Sequence, residues 1–309
     1  MPITLLDGGT GRELLRMGAP FRQPEWSALA LMEAPLFVTR VHQAFIAAGA
    51  EVITTNSYAI VPFHIGADRF KSEGLRLAAL AGRIAREAAD ASAGRVRVAG
   101  SLPPICGSYR AEWFDSNFAR PILATLCDGL RPFVDHWQAE TLSCIEEAEL
   151  VREVIGRDTK PLWLAFTLRD DEVSGRSEPQ LRSGQRVVDA VTAAISLGAQ
   201  AILFNCSQPE VMGAALTIAR QRIAESTASG RAKPSIGAYA NAFAPSRTLA
   251  QANSDLSAIR SDLTPAGYLA WALEWIDRGA EIVGGCCGIG PEHIRAIRAS
   301  ISSRLDAEV

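Results

Sequence analysis

The feature that most constrains this chain is an eightfold alternation of short apolar or β-branched runs with longer stretches of helical period, separated by polar turns. Strands are expected at Thr4–Gly8, Glu51–Asn56, Arg97–Ser101, Gln138–Thr141, Leu162–Thr167, Ala201–Cys206, Ser235–Tyr239 and Glu281–Gly285. Helices are expected at Leu36–Ala48, Leu75–Ala91, Ala119–His136, Cys144–Val154, Arg186–Leu197, Val211–Ala224, Ala266–Arg278 and Glu292–Ser302. Pro35, Pro209, Pro265 and Pro291 stand at or beside first helical turns, where a missing N–H costs nothing, and Gly49, Gly156, Gly198 and Gly279 follow helix ends. Mostly apolar strands pair in parallel, because each crossover helix covers a sheet face. An open doubly wound sheet and a closed barrel both satisfy this pattern. The unit count favours a (β/α)8 TIM barrel, and Gly8-Gly9-Thr10-Gly11 has neither the G-x-G-x-x-G spacing nor the lysine of a phosphate loop. The 309 residues then form a single domain, 1–309, of eight units of about 40 residues rather than two domains.

Charge and composition exclude several partners. The 31 basic and 34 acidic residues leave a net charge of −3, which offers no positive field for nucleic acid or an anionic membrane. No run approaches the ~18 to 20 apolar residues of a membrane span, and no basic segment followed by an apolar stretch opens the chain as a signal peptide does. Six cysteines over 309 residues are too sparse for a disulfide framework, so a reducing, cytoplasmic setting is expected.

In a barrel of this kind the active site lies at the C-terminal ends of the strands. Those ends carry Asp7, Thr54 to Tyr58, Ser101, Glu140, Thr167, Cys206, Tyr239 to Asn241, and Cys286 with Cys287. Strands six and eight would aim three thiols into one mouth. A tetrahedral ion held by three protein ligands keeps one position open for substrate, which makes zinc an economical explanation. Two alternatives stay open on spacing alone: buried thiols acting as small hydrophobes, and a strained vicinal disulfide between Cys286 and Cys287. Cys106, Cys127 and Cys144 are read as core residues.

The segments Leu5-Leu6-Asp7-Gly8-Gly9-Thr10-Gly11, Ile53-Thr54-Thr55-Asn56-Ser57-Tyr58, Glu140-Thr141, Phe204-Asn205-Cys206-Ser207 and Gly284-Gly285-Cys286-Cys287-Gly288 resemble the zinc-dependent homocysteine S-methyltransferase family. That family includes the S-methylmethionine and betaine:homocysteine methyltransferases and the homocysteine-binding module of cobalamin-dependent methionine synthase. The likeness runs from Asp7 to Gly290-Pro291-Glu292-His293-Ile294. It implies that Cys206, Cys286 and Cys287 bind Zn2+, that Asp7, Gly8, Thr54 and Glu140 hold the amino and carboxylate ends of homocysteine, and that Tyr58 is an aromatic residue near the metal. Carboxylates suit an ammonium, and a hydroxyl or backbone N–H suits a carboxylate. Tyr239-Ala240-Asn241-Ala242-Phe243 stands where many relatives have Tyr-Pro-Asn followed by glycine, and the loop from Ser101 to Arg110 lacks the usual glycine pattern. Both departures fall on the donor side of the pocket. Only about 16 residues follow His293, shorter than the extension betaine-dependent relatives use to oligomerise. The resemblance therefore points to a sulfonium donor, with a monomer or small homo-oligomer as the assembly.

The implied reaction is methyl transfer from an onium donor, S-methylmethionine foremost, to homocysteine, giving methionine. A free thiol with a pKa of roughly 8.5 is mostly protonated at neutral pH, and coordination to zinc removes that proton. Tyr58, Trp113, Phe114 and Tyr239 are candidate aromatic partners for the cationic donor. Betaine, S-adenosylmethionine or another onium donor, or another thiol acceptor, would be variants of the same chemistry. A zinc hydrolase would want histidine or carboxylate ligands, and the four histidines (His42, His64, His136, His293) are all expected in or beside helices. A Schiff-base lyase would need a lysine at a strand end, where Lys71, Lys160 and Lys233 do not fall. A non-catalytic zinc-stabilised scaffold or thiol sensor is the reading outside enzymology.

Overall fold

A computed structural model describes residues 3–170, 178–226, 232–244 and 258–307. Eight strands run in order: β1 (Thr4–Leu5), β2 (Val52–Thr54), β3 (Arg97–Leu102), β4 (His136–Leu142), β5 (Leu162–Phe166), β6 (Ala201–Asn205), β7 (Ser235–Tyr239) and β8 (Ile282–Val283). All neighbours pair in parallel, in the spatial order β1-β8-β7-β6-β5-β4-β3-β2, and a parallel bridge from Leu6 to Val52 joins the two ends of that order. The chain is a (β/α)8 TIM barrel. Pairing is sparse around β1 and β8: β1 meets β2 through that single bridge, and β8 shares two pairs with β1 (Thr4↔Ile282 and Leu5↔Val283) and two with β7.

Three helices, α1 (Thr10–Arg16), α2 (Ser27–Glu33) and α3 (Pro35–Ala47), lie between β1 and β2. Then follow α4 (Pro62–Ile65), α5 (Ala67–Asp90), α6 (Ser116–Leu130), α7 (Ile145–Ile155), α8 (Val187–Ser196), α9 (Pro209–Ser226), α10 (Pro265–Asp277) and α11 (Pro291–Ala307). No described helix is long and apolar enough to cross a membrane.

The burial pattern separates two cores. Every residue of β4, β5 and β6 is buried, as expected of strands covered on both faces. The larger core lies between sheet and helices. A smaller one fills the barrel interior with Leu6, Val52, Ala99, Trp163, Leu203 and Ile282. Along β4 the two-residue period sends Trp137 and Ala139 outward to the helices. His136, Gln138 and Glu140 face inward, where the His136 ring lies 4.0 Å from that of Trp163 and Gln138 bonds the Tyr239 hydroxyl at 3.3 Å. Glu140 is thus the uppermost inward residue of its strand, at the mouth.

The expected helix Ala119–His136 is corrected here, because α6 stops at Leu130 and His136 opens β4. Pro132 has no N–H to continue the helix, and Asp135 instead bonds β3, its N–H to the Val98 carbonyl at 2.8 Å and its carboxylate to the Val98 N–H at 2.7 Å. His136 is therefore a strand residue rather than a helical one. Helices α1, α2 and α4 were not anticipated.

Candidate metal centre and substrate pocket

Cys206 directly follows β6 and takes a left-handed backbone, φ 53°, that turns both its carbonyl and its thiol toward the barrel mouth. Cys286 and Cys287 occupy the turn after β8. That turn is pinned from three sides: Gly285 N–H donates to the Asp7 carbonyl (2.9 Å), Cys286 N–H to the Ala240 carbonyl (3.0 Å), and Ala242 N–H to the Cys287 carbonyl (2.8 Å). Beneath it, the buried Tyr268 hydroxyl reaches the carbonyls of Gly284 (2.8 Å) and Ala240 (3.2 Å). Glycine is required at the crossing with β1, since a Cβ on Gly9 would stand 2.6 Å from the Cys286 carbonyl oxygen.

The three Sγ atoms lie within 4.8 Å of one another, Cys206 to Cys287 at 4.0 Å. Thiolates ~2.3 Å from one tetrahedral ion are about 3.8 Å apart, so this donor set fits a single thiophilic ion with little adjustment. The Cys206 thiol is pushed well below its usual range by hydrogen bonding with the Cys286 and Cys287 thiols and, against the effect of burial, by the Tyr109 and Asn241 side chains. Cys286 and Cys287 are held up by those same bonds to Cys206 and by burial. The other three cysteines stand apart from the cluster. Cys127 and Cys144 are buried as expected, whereas Cys106 is only half-buried and contacts the Asp115 backbone.

Two carboxylates flank the thiols. Asp7, just past β1, accepts the Thr54 N–H at 2.7 Å and the Thr54 hydroxyl at 3.0 Å. Glu140 accepts the Ser101 hydroxyl at 2.5 Å and the Tyr239 hydroxyl at 3.3 Å. Burial raises both to about 7, each held back by its hydrogen bonds, with Glu140 adding a small repulsion at Asp7. The pocket therefore favours an incoming cation. Thr54 proves to be engaged by Asp7 through both its N–H and its hydroxyl. Gly8 is closely packed, since a Cβ there would stand 2.3 Å from the Ile289 carbonyl oxygen.

Tyr58 follows β2 at the barrel mouth. The Tyr58 hydroxyl contacts that of Ser108 at 2.5 Å, and its ring meets Trp26 edge-on at 6.0 Å. Among the other aromatic candidates, Tyr239 lies inside the barrel bonded to Glu140, and the Trp113 ring is covered by the Arg110 guanidinium at 3.7 Å. Tyr109 is the residue that sequence reasoning missed: its hydroxyl lies 3.0 Å from Cys206 Sγ. The available signal was a glycine two residues before a tyrosine in the loop after β3, which here carries φ 124° at Gly107 and 66° at Tyr109. Among the described residues the non-glycine left-handed positions are Trp26, Tyr109, Thr141 and Cys206. Each belongs to a loop or strand end of this mouth, where backbone strain concentrates in functional sites.

None of the four histidines joins the thiol cluster; His64 bonds the Pro24 carbonyl at 2.7 Å and His293 the Leu263 carbonyl at 3.1 Å. The three lysines are likewise remote, with Lys71 and Lys233 exposed. The model of the homocysteine S-methyltransferase family matches residues 4–301.

The chain belongs to the homocysteine S-methyltransferase family.

Among members of the family, the homocysteine S-methyltransferase of Escherichia coli is 30% identical, the match covering 96% of this chain and 94% of that protein. The selenocysteine methyltransferase of Astragalus bisulcatus is 28% identical over 97% of this chain and 92% of its own length. The crystal structure of the E. coli homocysteine methyltransferase MmuM in its metallated form superposes with a TM-score of 0.73 at 27% identity, covering 97% of this chain and 96% of that one. Family membership makes this protein a methyltransferase enzyme of the homocysteine S-methyltransferase type.

Proposed function

We propose that the protein transfers a methyl group from a sulfonium donor, S-methylmethionine foremost, to homocysteine, with Zn2+ held by Cys206, Cys286 and Cys287. The observation that carries this reading is the meeting of three thiols within 4.8 Å with two buried carboxylates at one barrel mouth. The metallated form of the related E. coli enzyme supports a metal here, and three thiolates with one open position favour zinc. When bound, the ion keeps the homocysteine thiol deprotonated and therefore nucleophilic at neutral pH.

The chain's own groups supply the rest. Asp7 and Glu140 receive the substrate ammonium, whose charge draws both carboxylates toward their ionised forms. Thr54 fixes the direction of Asp7, and the backbone at Gly8 meets the carboxylate end. Tyr58 presents its ring to the cationic donor. The homocysteine sulfur lone pair forms the new S–C bond in line with the breaking C–S bond, and the donor sulfur leaves with that electron pair. With S-methylmethionine both products are methionine. An anion and a cation neutralise each other in this step, so exclusion of water from the pocket assists it.

The deciding experiment supplies zinc-loaded protein and homocysteine with S-methylmethionine, S-adenosylmethionine, betaine or a dimethylsulfonium compound, and reads methionine by mass. S-methylmethionine is expected to give the highest rate. Methionine from none of them would remove the proposal. The relative named for selenocysteine favours one second reading, in which a selenol is an additional acceptor at the same position.

A further inference from the structure

The Tyr109 hydroxyl has one proton and two acceptors in reach, the Cys206 Sγ at 3.0 Å and the Cys206 carbonyl at 3.2 Å. An anionic sulfur outcompetes a neutral carbonyl for that proton, because charge-assisted hydrogen bonds are the stronger class. The phenol is held over the sulfur at some conformational expense, with a left-handed backbone at φ 66° on a residue that is not glycine. Its ring is not free to swing away. The Arg182 guanidinium lies over it, 4.8 Å from the ring centre.

Arg182 is itself fixed. It pairs with Asp170 at 2.7 Å, and the second carboxylate oxygen of Asp170 accepts the Gln208 N–H at 3.0 Å, two residues beyond Cys206. The guanidinium Nε is buried without a hydrogen-bond partner among the described residues, so placing this cation on the ring takes precedence over satisfying its donors. A cation over a phenol ring withdraws electron density and makes the O–H a stronger donor. The loops after β3, β5 and β6 thus converge on one sulfur atom. Nothing in a packing role for Tyr109 calls for this chain of contacts.

We propose that Tyr109, held and polarised by Arg182, is the outer hydrogen-bond donor of the metal centre, fixing Cys206 as a ligand and withdrawing charge from its sulfur. The inference rests on the reading that Cys206, Cys286 and Cys287 bind a metal. Tyr109 is a positioning residue here, acting on substrate only through the centre it orients. Partners of this kind typically alter metal affinity by about 10- to 100-fold.

The test uses the whole protein loaded with cobalt(II), whose sulfur-to-metal charge-transfer band reports electron density on the thiolate ligands, together with zinc affinity from competition with a chromophoric chelator. Tyr109→Phe, which keeps the ring and removes the hydroxyl, is expected to move the band to longer wavelength and weaken zinc about tenfold. An unshifted band with parental zinc affinity would overturn the proposal, since a merely structural tyrosine would change thermal stability and leave both unchanged. Should Tyr109→Phe not take up cobalt, Arg182→Met decides, because it retains the hydroxyl and removes the cation. A smaller shift in the same direction supports the proposal, and a parental band overturns it. A parent protein that shows no sulfur-to-cobalt band at all would instead remove the metal-centre reading.

Discussion

Two local devices place the thiols of the cluster, the left-handed turn at Cys206 and the pinned turn that carries both Cys286 and Cys287, so the three are not interchangeable with the remaining cysteines. Cys206→Ala, Cys286→Ala or Cys287→Ala is expected to abolish both bound zinc and methyl transfer, while Cys127→Ala retains full metal content by elemental mass spectrometry. Cys127 is a buried thiol pushed up to about 12 by desolvation, which marks it as a neutral hydrophobe. Glu140→Gln removes a charge and keeps the bonds from Ser101 and Tyr239 possible. Zinc content should stay unchanged and the homocysteine KM should rise at least tenfold, consistent with ~1.5 kcal/mol or more for a lost charge-assisted bond. An unchanged KM would remove Glu140 from substrate recognition.

At the scale of elements, the eight-unit rhythm was readable because covered parallel strands leave a near-continuous apolar signal and crossover helices a strong one. What failed to show was short or dictated from a distance. Helices α1 and α2 hold only seven residues each, and their N-terminal positions Gly9 and Trp26 make no side-chain cap, so neither carries a capping signal. β4 begins at His136 because Asp135 pairs with β3 across 37 residues, a partner no local window contains. The thiols, Asp7 and Glu140 were legible through motif likeness. Tyr109 was not, since a loop tyrosine acquires its meaning only when β3 and β6 are neighbours of the same mouth. The crossing of β1 and the turn after β8 gives an element-level prediction. Gly9→Ala would set a methyl 2.6 Å from the Cys286 carbonyl oxygen and displace the paired cysteines. Chelator competition should show weakened zinc binding, with about 1–3 kcal/mol of stability lost to overpacking. Gly94→Ala, where nothing lies within 4 Å, should match the parent in both.

Across the whole molecule, acid stability is set by buried groups that titrate in opposite senses. His42 on α3 is fully buried with both ring nitrogens unpartnered among the described residues, and burial lowers it to about 4 from 6.5. Its folded pKa is below its unfolded one. The unfolded chain therefore binds more protons between those values, and the stability present above pH 6.5 falls as pH drops toward 4, by about 3 kcal/mol at full effect. Glu147, which caps α7 through the Ser143 and Cys144 N–H groups, is raised to about 7 by burial and gains stability over much the same descent. His42→Leu isolates the histidine: the variant-minus-parent unfolding free energy, from urea titrations at several pH values, should grow in the variant's favour from pH 6.5 to 4. A flat difference would mean that His42 finds a proton acceptor in the folded state.

The pairing of β8 with β1 bears on the order in which the proposed metal centre can be assembled during synthesis. Cys206 emerges 80 residues before its partners, and the strand that delivers them is also the one that closes the barrel onto β1. A nascent chain released only as far as β7 presents one of the three clustered thiols and lacks the proposed three-thiolate site. On the zinc reading proposed above, a loaded centre then reports that β8 has joined β1.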